Sequence, residues 1–310
     1  ADAVAQLKAI PGVKTVGGVN SCFEHIDLRS GDGQGESDKY TGPFADKWGQ
    51  KAKDLRLAFL LAFPRYATMT NQLKPFNKKA ELLNSNFTLP GSVYYKDVTA
   101  KNGLTTTQSV TIDGTRYTYN FNVPSETIQR ANEAVALKLV QKYYPTATAS
   151  KAVVPVKVMF ANTSALRVSL AKLIQAEAKK AGFDVDITGN AAWSAHLQDT
   201  AYDATMYGFS LNSISQSTTT EIYKSTGGNN NWGWAHTTID SLAKDLQGGP
   251  LSAAQVTAKR IAIDKIVHDN YWGLPLYQGI TITAGIKSLK NLKAAPLSPN
   301  FFWNYWEWHF

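Results

Sequence analysis

VVPVKVMFANTSALRVSLAKLIQAEAKKAGFDVDIT, Val153 to Thr188, decides the fold. Its first eight residues, Val153 to Phe160, are β-rich. From Ser164 to Ala181 the apolar residues Leu166, Leu170, Leu173, Ile174 and Ala178 recur at helical spacing, with Arg167, Lys172, Lys179 and Lys180 largely off that face. Gly182 stops the helix, and Phe183 to Thr188 reads as a second strand. Trp193 falls on a short helix, and Tyr202 to Phe209 forms a third strand. Strand, helix, strand, helix, strand is the pattern of a parallel sheet with right-handed crossovers. Ligands of such sheets sit beyond the carboxyl ends of the strands. Ser210 to Ser213 lies at one of those ends.

Working outward, Ala3 to Ile10 reads as a helix ended by Pro11-Gly12, followed by strands around Val13–Val16 and Cys22–Leu28. The Gly/Asp/Ser-rich loop at positions 29–38 lacks the Lys-Ser/Thr and following helix of a phosphate cradle. Helices are expected from Trp48 to Phe63 and from Arg65 to Leu73, broken at Pro64. Val110 to Val123 is a hairpin turning on Asp113-Gly114. Ser125 caps a helix to Tyr144, with Glu126 in its first turn. Helices Thr237–Leu246 and Ser252–Tyr271 precede WGLPLYQGITIT, and the chain closes in FFWNYWEWHF. That aromatic tail calls for a covering surface.

With 310 residues and 44% hydrophobic content, the chain can build one large core or two. The formal charge of +8 comes from scattered Lys and Arg, so no nucleic-acid footprint is expected. Cys22 is the single cysteine and has no internal disulfide partner. No apolar run reaches the roughly 18 residues of a membrane span. The five histidines are far apart without paired-ligand spacing, and no G-x-S-x-G elbow occurs. In a strand, Cys22 and His25 fall on opposite faces, which argues against a thiolate–imidazole pair. No catalytic residue, metal site or cofactor is therefore expected, and the protein is read as no enzyme.

The ordered set VKVMFANTSALR, AGFDVDI, Trp193, YDATMYGF and WGLPLYQ resembles the oligopeptide/dipeptide class of ABC-transporter solute-binding proteins, family 5. DLRLAFLLAFPR, with Pro64-Arg65 where the family usually has Asp-Arg, and NNNWGWAHTTID extend the likeness from about Val13 to Phe310. The resemblance implies an α/β, periplasmic-binding-protein-like carboxy-terminal lobe, with a mixed, mainly parallel sheet flanked by helices and a β-hairpin insertion. Residues 1–20 would be a hinge-proximal segment, 21–285 the ligand-binding lobe, and 286–310 a return segment and aromatic tail toward an absent amino-terminal lobe. Such a receptor captures a small solute, a peptide above all, and delivers it to the membrane permease of an ABC importer. Its place would be extracytoplasmic, as a cell-surface lipoprotein or in the periplasm.

The resemblance also names ligand-binding positions. Trp193 would line the pocket, Arg167 could hold a carboxylate bidentately, Met206 would be a soft apolar wall and Ser210 would offer a hydroxyl. Where the family strand commonly ends in Trp and, three residues on, an Asp that receives a peptide's α-ammonium, this chain has Phe209 and Asn212. Asn has no net charge, so a blocked peptide, a sugar-like molecule or another polar solute also fits. As ordinary residues, Trp193, Met206 and Phe209 suit a core, and Arg167 suits a solvated helix face. An enzyme on a similar scaffold would need titratable groups near Ser210, where Asp199 and Asp203 are closest in sequence. A sensory or adhesive module would read the same.

Overall fold

Five strands carry the fold: β1 (Val13–Leu28), β4 (Val154–Phe160), β5 (Phe183–Gly189), β6 (Ala204–Ser210) and β7 (Gly273–Ile286). They form one mixed sheet in the order β5-β4-β6-β1-β7. The computed structural model describes residues 2–31, 39–75, 77–78, 80–86, 88–210, 220–294 and 304–310. β4 pairs in parallel with both β5 and β6, as expected. β1 is antiparallel to β6 and β7, so four of the five strands point the same way. β2 (Gln108–Ile112) and β3 (Thr115–Tyr119) form the separate hairpin, with Asp113 and Gly114 at φ 47° and 78° in its tight turn.

The helices are α1 (Asp2–Ala9), α2 (Gln50–Ala62), α3 (Arg65–Ala67, continued by a π-helical stretch Thr68–Leu73), α4 (Tyr95–Lys101) and α5 (Glu126–Tyr143). They continue as α6 (Ala165–Lys180), α7 (Thr220–Tyr223), α8 (Thr237–Gln247) and α9 (Ala253–Asp269). Their ends follow local chemistry. Ser125, Ser164 and Ser252 each accept a backbone N–H of the first turn, and Ser252 completes a capping box with Gln255. Lys179 and Lys180 close α6 at its negative pole. One sheet face packs on α2, α5 and α6 through Val154, Val156, Val158, Phe160, Leu170 and Ile174. The other face near β6 is covered by an aromatic cluster, in which Trp234 is stacked between Tyr223 and Trp272 at 5.5 Å from each.

The sheet corrects one expectation and assigns one stretch that the sequence left without an element. The two strands expected around Val13–Val16 and Cys22–Leu28 are one strand, because β7 pairs along its length and carries it through Gly17-Gly18. The ladder steps between Val19 and Phe23, where the Asn20 side chain accepts from the Cys22 N–H (2.9 Å) and donates to Thr281 (3.0 Å). WGLPLYQGITIT is the strand β7, an edge strand in which Pro275 lies beside a second step of the ladder at Glu24–His25. A proline is tolerated there because no neighbour needs its missing N–H. Val13–Val19 pair with β7 alone, so this half of the ribbon is an arm beyond the sheet. In the tail, Tyr305, Trp306 and Phe310 are 63–83% exposed. Among the described residues no helix is long and apolar enough to cross a membrane.

Candidate ligand-binding site

β6 outruns its parallel neighbour. Its pairing with β4 stops at Met206, opposite Phe160, whereas its pairing with β1 continues to Ser210, opposite Cys22. Side chains from the two crossover connections reach the residues beyond that point. Trp193, on a single 3-10 turn (Trp193–His196) after β5, sets its ring 5.6 Å from that of Tyr207. Arg167, in the first turn of α6, reaches Gly208. A Cβ at Gly208 would lie 3.1 Å from Arg167 Nη2, 3.1 Å from Glu24 Oε2 and 3.0 Å from Cys22 Sγ. The missing side chain lets these three groups close over the strand.

Glu24 stands opposite Gly208 on β1. Arg167 donates to it twice, from Nε to Oε1 at 2.6 Å and from Nη2 to Oε2 at 3.0 Å. This fork-to-fork geometry is the strong form of the arginine–carboxylate pair. The guanidinium carbon also lies 5.7 Å from the centre of the Trp193 ring. Burial works against the Arg167 charge, but the hydrogen bonds and charge of Glu24 more than offset it and hold its pKa above the ordinary value. Burial pushes the Cys22 thiol up; Ser210, its hydrogen-bond partner, and Arg167 pull the other way, while Glu24 adds to the rise. Burial, then Glu24, likewise pushes Tyr277 up. At neutral pH the floor therefore holds one internally neutralised ion pair, a thiol, a phenol and hydroxyl groups. Tyr277 and Gln278 also line a neighbouring pocket of about 150 Å³, with Val19, Leu73, Leu83 and Ile280.

The structure brings together Arg167, Trp193 and, through Cys22, Ser210. Phe209 alternates with Ser210 onto the face that carries Tyr207, where it borders the same aromatic cluster as Trp193 and is half-buried against Phe23 (ring centres 6.2 Å apart), Leu83 and Leu89. Met206 corrects its expectation as a pocket wall: it is fully buried within the main core, paired to β4 and packed with that face. Asn212 lies outside the described residues.

Two residues stand at the site that the sequence did not place there. Glu24 is an acid at an inward position of an alternating strand, a signal in itself, but its partner is 143 residues away. Arg29, fully buried, donates to the carbonyls of Tyr202 (3.0 Å), Leu197 (2.6 Å) and Asn231 (2.9 Å), with its guanidinium 5.4 Å from the Trp232 ring. It fastens the turn that carries Trp193 to the end of β1. Asp203 is engaged structurally, accepting from the Tyr40 hydroxyl (2.8 Å) and the Lys157 N–H (2.7 Å). Asp199 pairs with His196 on the surface at 2.7 Å. Among the described residues no group of three or more His, Cys, Asp or Glu could hold a metal ion.

No family model matches the sequence, and no curated protein sequence matches it. Solved structures do. The periplasmic EDTA-binding protein EppA superposes with a TM-score of 0.72 at 16% identity, over 100% of this chain and 52% of that one. The oligopeptide-binding protein AppA from Bacillus subtilis, in complex with a nonapeptide, gives 0.67 at 17% identity over 99% and 54%. The murein tripeptide binding protein MppA from Escherichia coli gives 0.65 at 17% over 94% and 48%. These are binding proteins, and this chain has the fold of one lobe of a periplasmic-type binding protein. It spans about half the length of these neighbours.

Proposed function

We propose that the chain is the carboxy-terminal, ligand-binding lobe of an extracytoplasmic solute-binding protein of the oligopeptide/dipeptide class. It captures a peptide or similar polar solute and hands it to the membrane permease of an ABC importer. The observation that carries this reading is the gathering of Trp193, Ser210 and the Glu24–Arg167 pair at the carboxyl end of β6, on a lobe that matches half of known peptide and chelate binders. A second, amino-terminal lobe closes the groove from the other side. The β1/β7 arm and the exposed aromatic tail at 304–310 are the parts offered to it. The receptor works outside the membrane, in the periplasm or held to the cell surface as a lipoprotein.

Within this reading Trp193, Phe209, Ser210 and Asn212 contact the solute. Calorimetry on the complete receptor tests it. A cognate solute binds with micromolar or tighter affinity, ~8 kcal/mol or more, and Trp193→Ala weakens it by at least ~1 kcal/mol. Unchanged affinity in a folded Trp193→Ala receptor removes this surface from the site.

A further inference from the structure

We infer that Glu24 is a built-in occupant of Arg167, standing where a ligand carboxylate would otherwise sit, so that the solute is uncharged where it meets Trp193 and Ser210. The ligand class at this contact is then an amide, an ester or a hydroxyl-bearing ring, and a carboxylate or phosphate is rejected. This deepens the solute-binding reading and rests on it.

Three features support the assignment. The Nε and Nη2 edge of the guanidinium, one of its two edges that can hold a carboxylate bidentately, is used in full by Glu24 at 2.6 and 3.0 Å, and the Trp193 ring lies against the group. Gly208 leaves the space through which the pair closes, with Nη2 and Oε2 each 3.1 Å from where a Cβ would be. Third, Glu24 is buried, so an anion that drew Arg167 away would strand an uncompensated carboxylate inside the protein. Both partners belong to this chain, so the pair forms whichever way a second lobe moves. What remains for the solute is the Trp193 ring, the exposed Ser210 hydroxyl and the Cys22 thiol, all without charge.

Cys22, the single cysteine and half-buried beside the pair, is a reporter of the charge of this floor. Its alkylation by anionic iodoacetate is compared with that by neutral iodoacetamide. In Glu24→Gln, an unneutralised Arg167 raises the iodoacetate-to-iodoacetamide rate ratio roughly tenfold over the native chain. Acetate, as the carboxylate probe, then slows alkylation in the variant and leaves the native chain unaffected. Arg167→Gln added to Glu24→Gln abolishes the gain. A ratio unchanged in a folded Glu24→Gln overturns the inference, as does acetate protection of the native chain. Should Glu24→Gln not fold, arginine labelling with p-hydroxyphenylglyoxal in the native chain and in Glu24→Asp decides: the shorter carboxylate loosens the fork and Arg167 reacts faster in Glu24→Asp if Glu24 occupies it, and at the native rate if it does not. These readouts need no solute. An unchanged ratio beside Trp193-dependent solute binding defeats this inference alone, and loss of the Trp193 effect defeats the wider reading alone.

Discussion

His268 gives the chain a calculable sensitivity to acid. It lies in the last turn of α9 and is almost fully buried, its ring edge-on to Phe121 with centres 5.0 Å apart. Its Nε2 accepts from the Gln108 side-chain amide at 2.6 Å, so a proton on that nitrogen would face another donor. Burial, opposed by Asp269 and reinforced by the positive charges of Lys265 and Arg65, pushes its pKa down to about 4 from 6.5. A histidine held below its unfolded value favours folding when neutral. Its contribution is complete above the unfolded pKa, is lost as pH falls through about 6.5, and levels out near 4. At about 1.36 kcal/mol per unit, lowering the pH from 7 to 5 removes about 2 kcal/mol. Urea unfolding at both pH values, in the native chain and in His268→Leu, measures it. The native chain is expected to lose about 2 kcal/mol more than the variant over that interval, which cancels the carboxylates common to both. Parallel pH profiles would refute the assignment of a buried, neutral His268.

Other outcomes follow from the site. Gly208→Val places carbon at 3.0–3.1 Å from Cys22 Sγ, Arg167 Nη2 and Glu24 Oε2, and is expected to cost roughly 1–3 kcal/mol in thermal unfolding and to expose Arg167 to labelling. Asn212→Asp restores the charge that the resemblance places at this position. It is expected to improve binding of peptides with a free amino end, relative to N-acetylated ones, by about 1 kcal/mol in calorimetry on the complete receptor.

Sequence reading reached the elements whose cause is local. α6 was legible because its apolar residues recur at helical spacing and Ser164, Lys179, Lys180 and Gly182 mark its ends. The hairpin was legible because Asp113-Gly114 supplies two positive φ angles in succession. β7 was not, since Pro275 and three glycines argue against a strand, and only its place at the sheet edge removes the objection. Gly17-Gly18 misled for the same reason: weak local propensity was overridden by an uninterrupted partner strand. Met206 misled differently. Its strand position was right, but whether that position is wall or core depends on where β4 stops beside β6, a length mismatch between strands that no local pattern contains.

Arg167 shows where local reading and tertiary structure divide. A guanidinium at the start of a helix, near the carboxyl end of a parallel strand, is suited to a bidentate carboxylate, and it does hold one. The carboxylate comes from β1 because three separate facts coincide: β1 runs antiparallel beside β6, the register sets Glu24 opposite Gly208, and Gly208 has no side chain to keep the two apart. A shift of register by one residue would turn Glu24 to the other face, where Phe23, His25 and Asp27 now lie, and would free Arg167 for an anionic solute. On the proposed reading, strand register therefore sets the charge that a solute meets at this contact. On its other edge the same strand steps against β7 around Asn20, whose side chain pins that step by its bonds to Cys22 and Thr281.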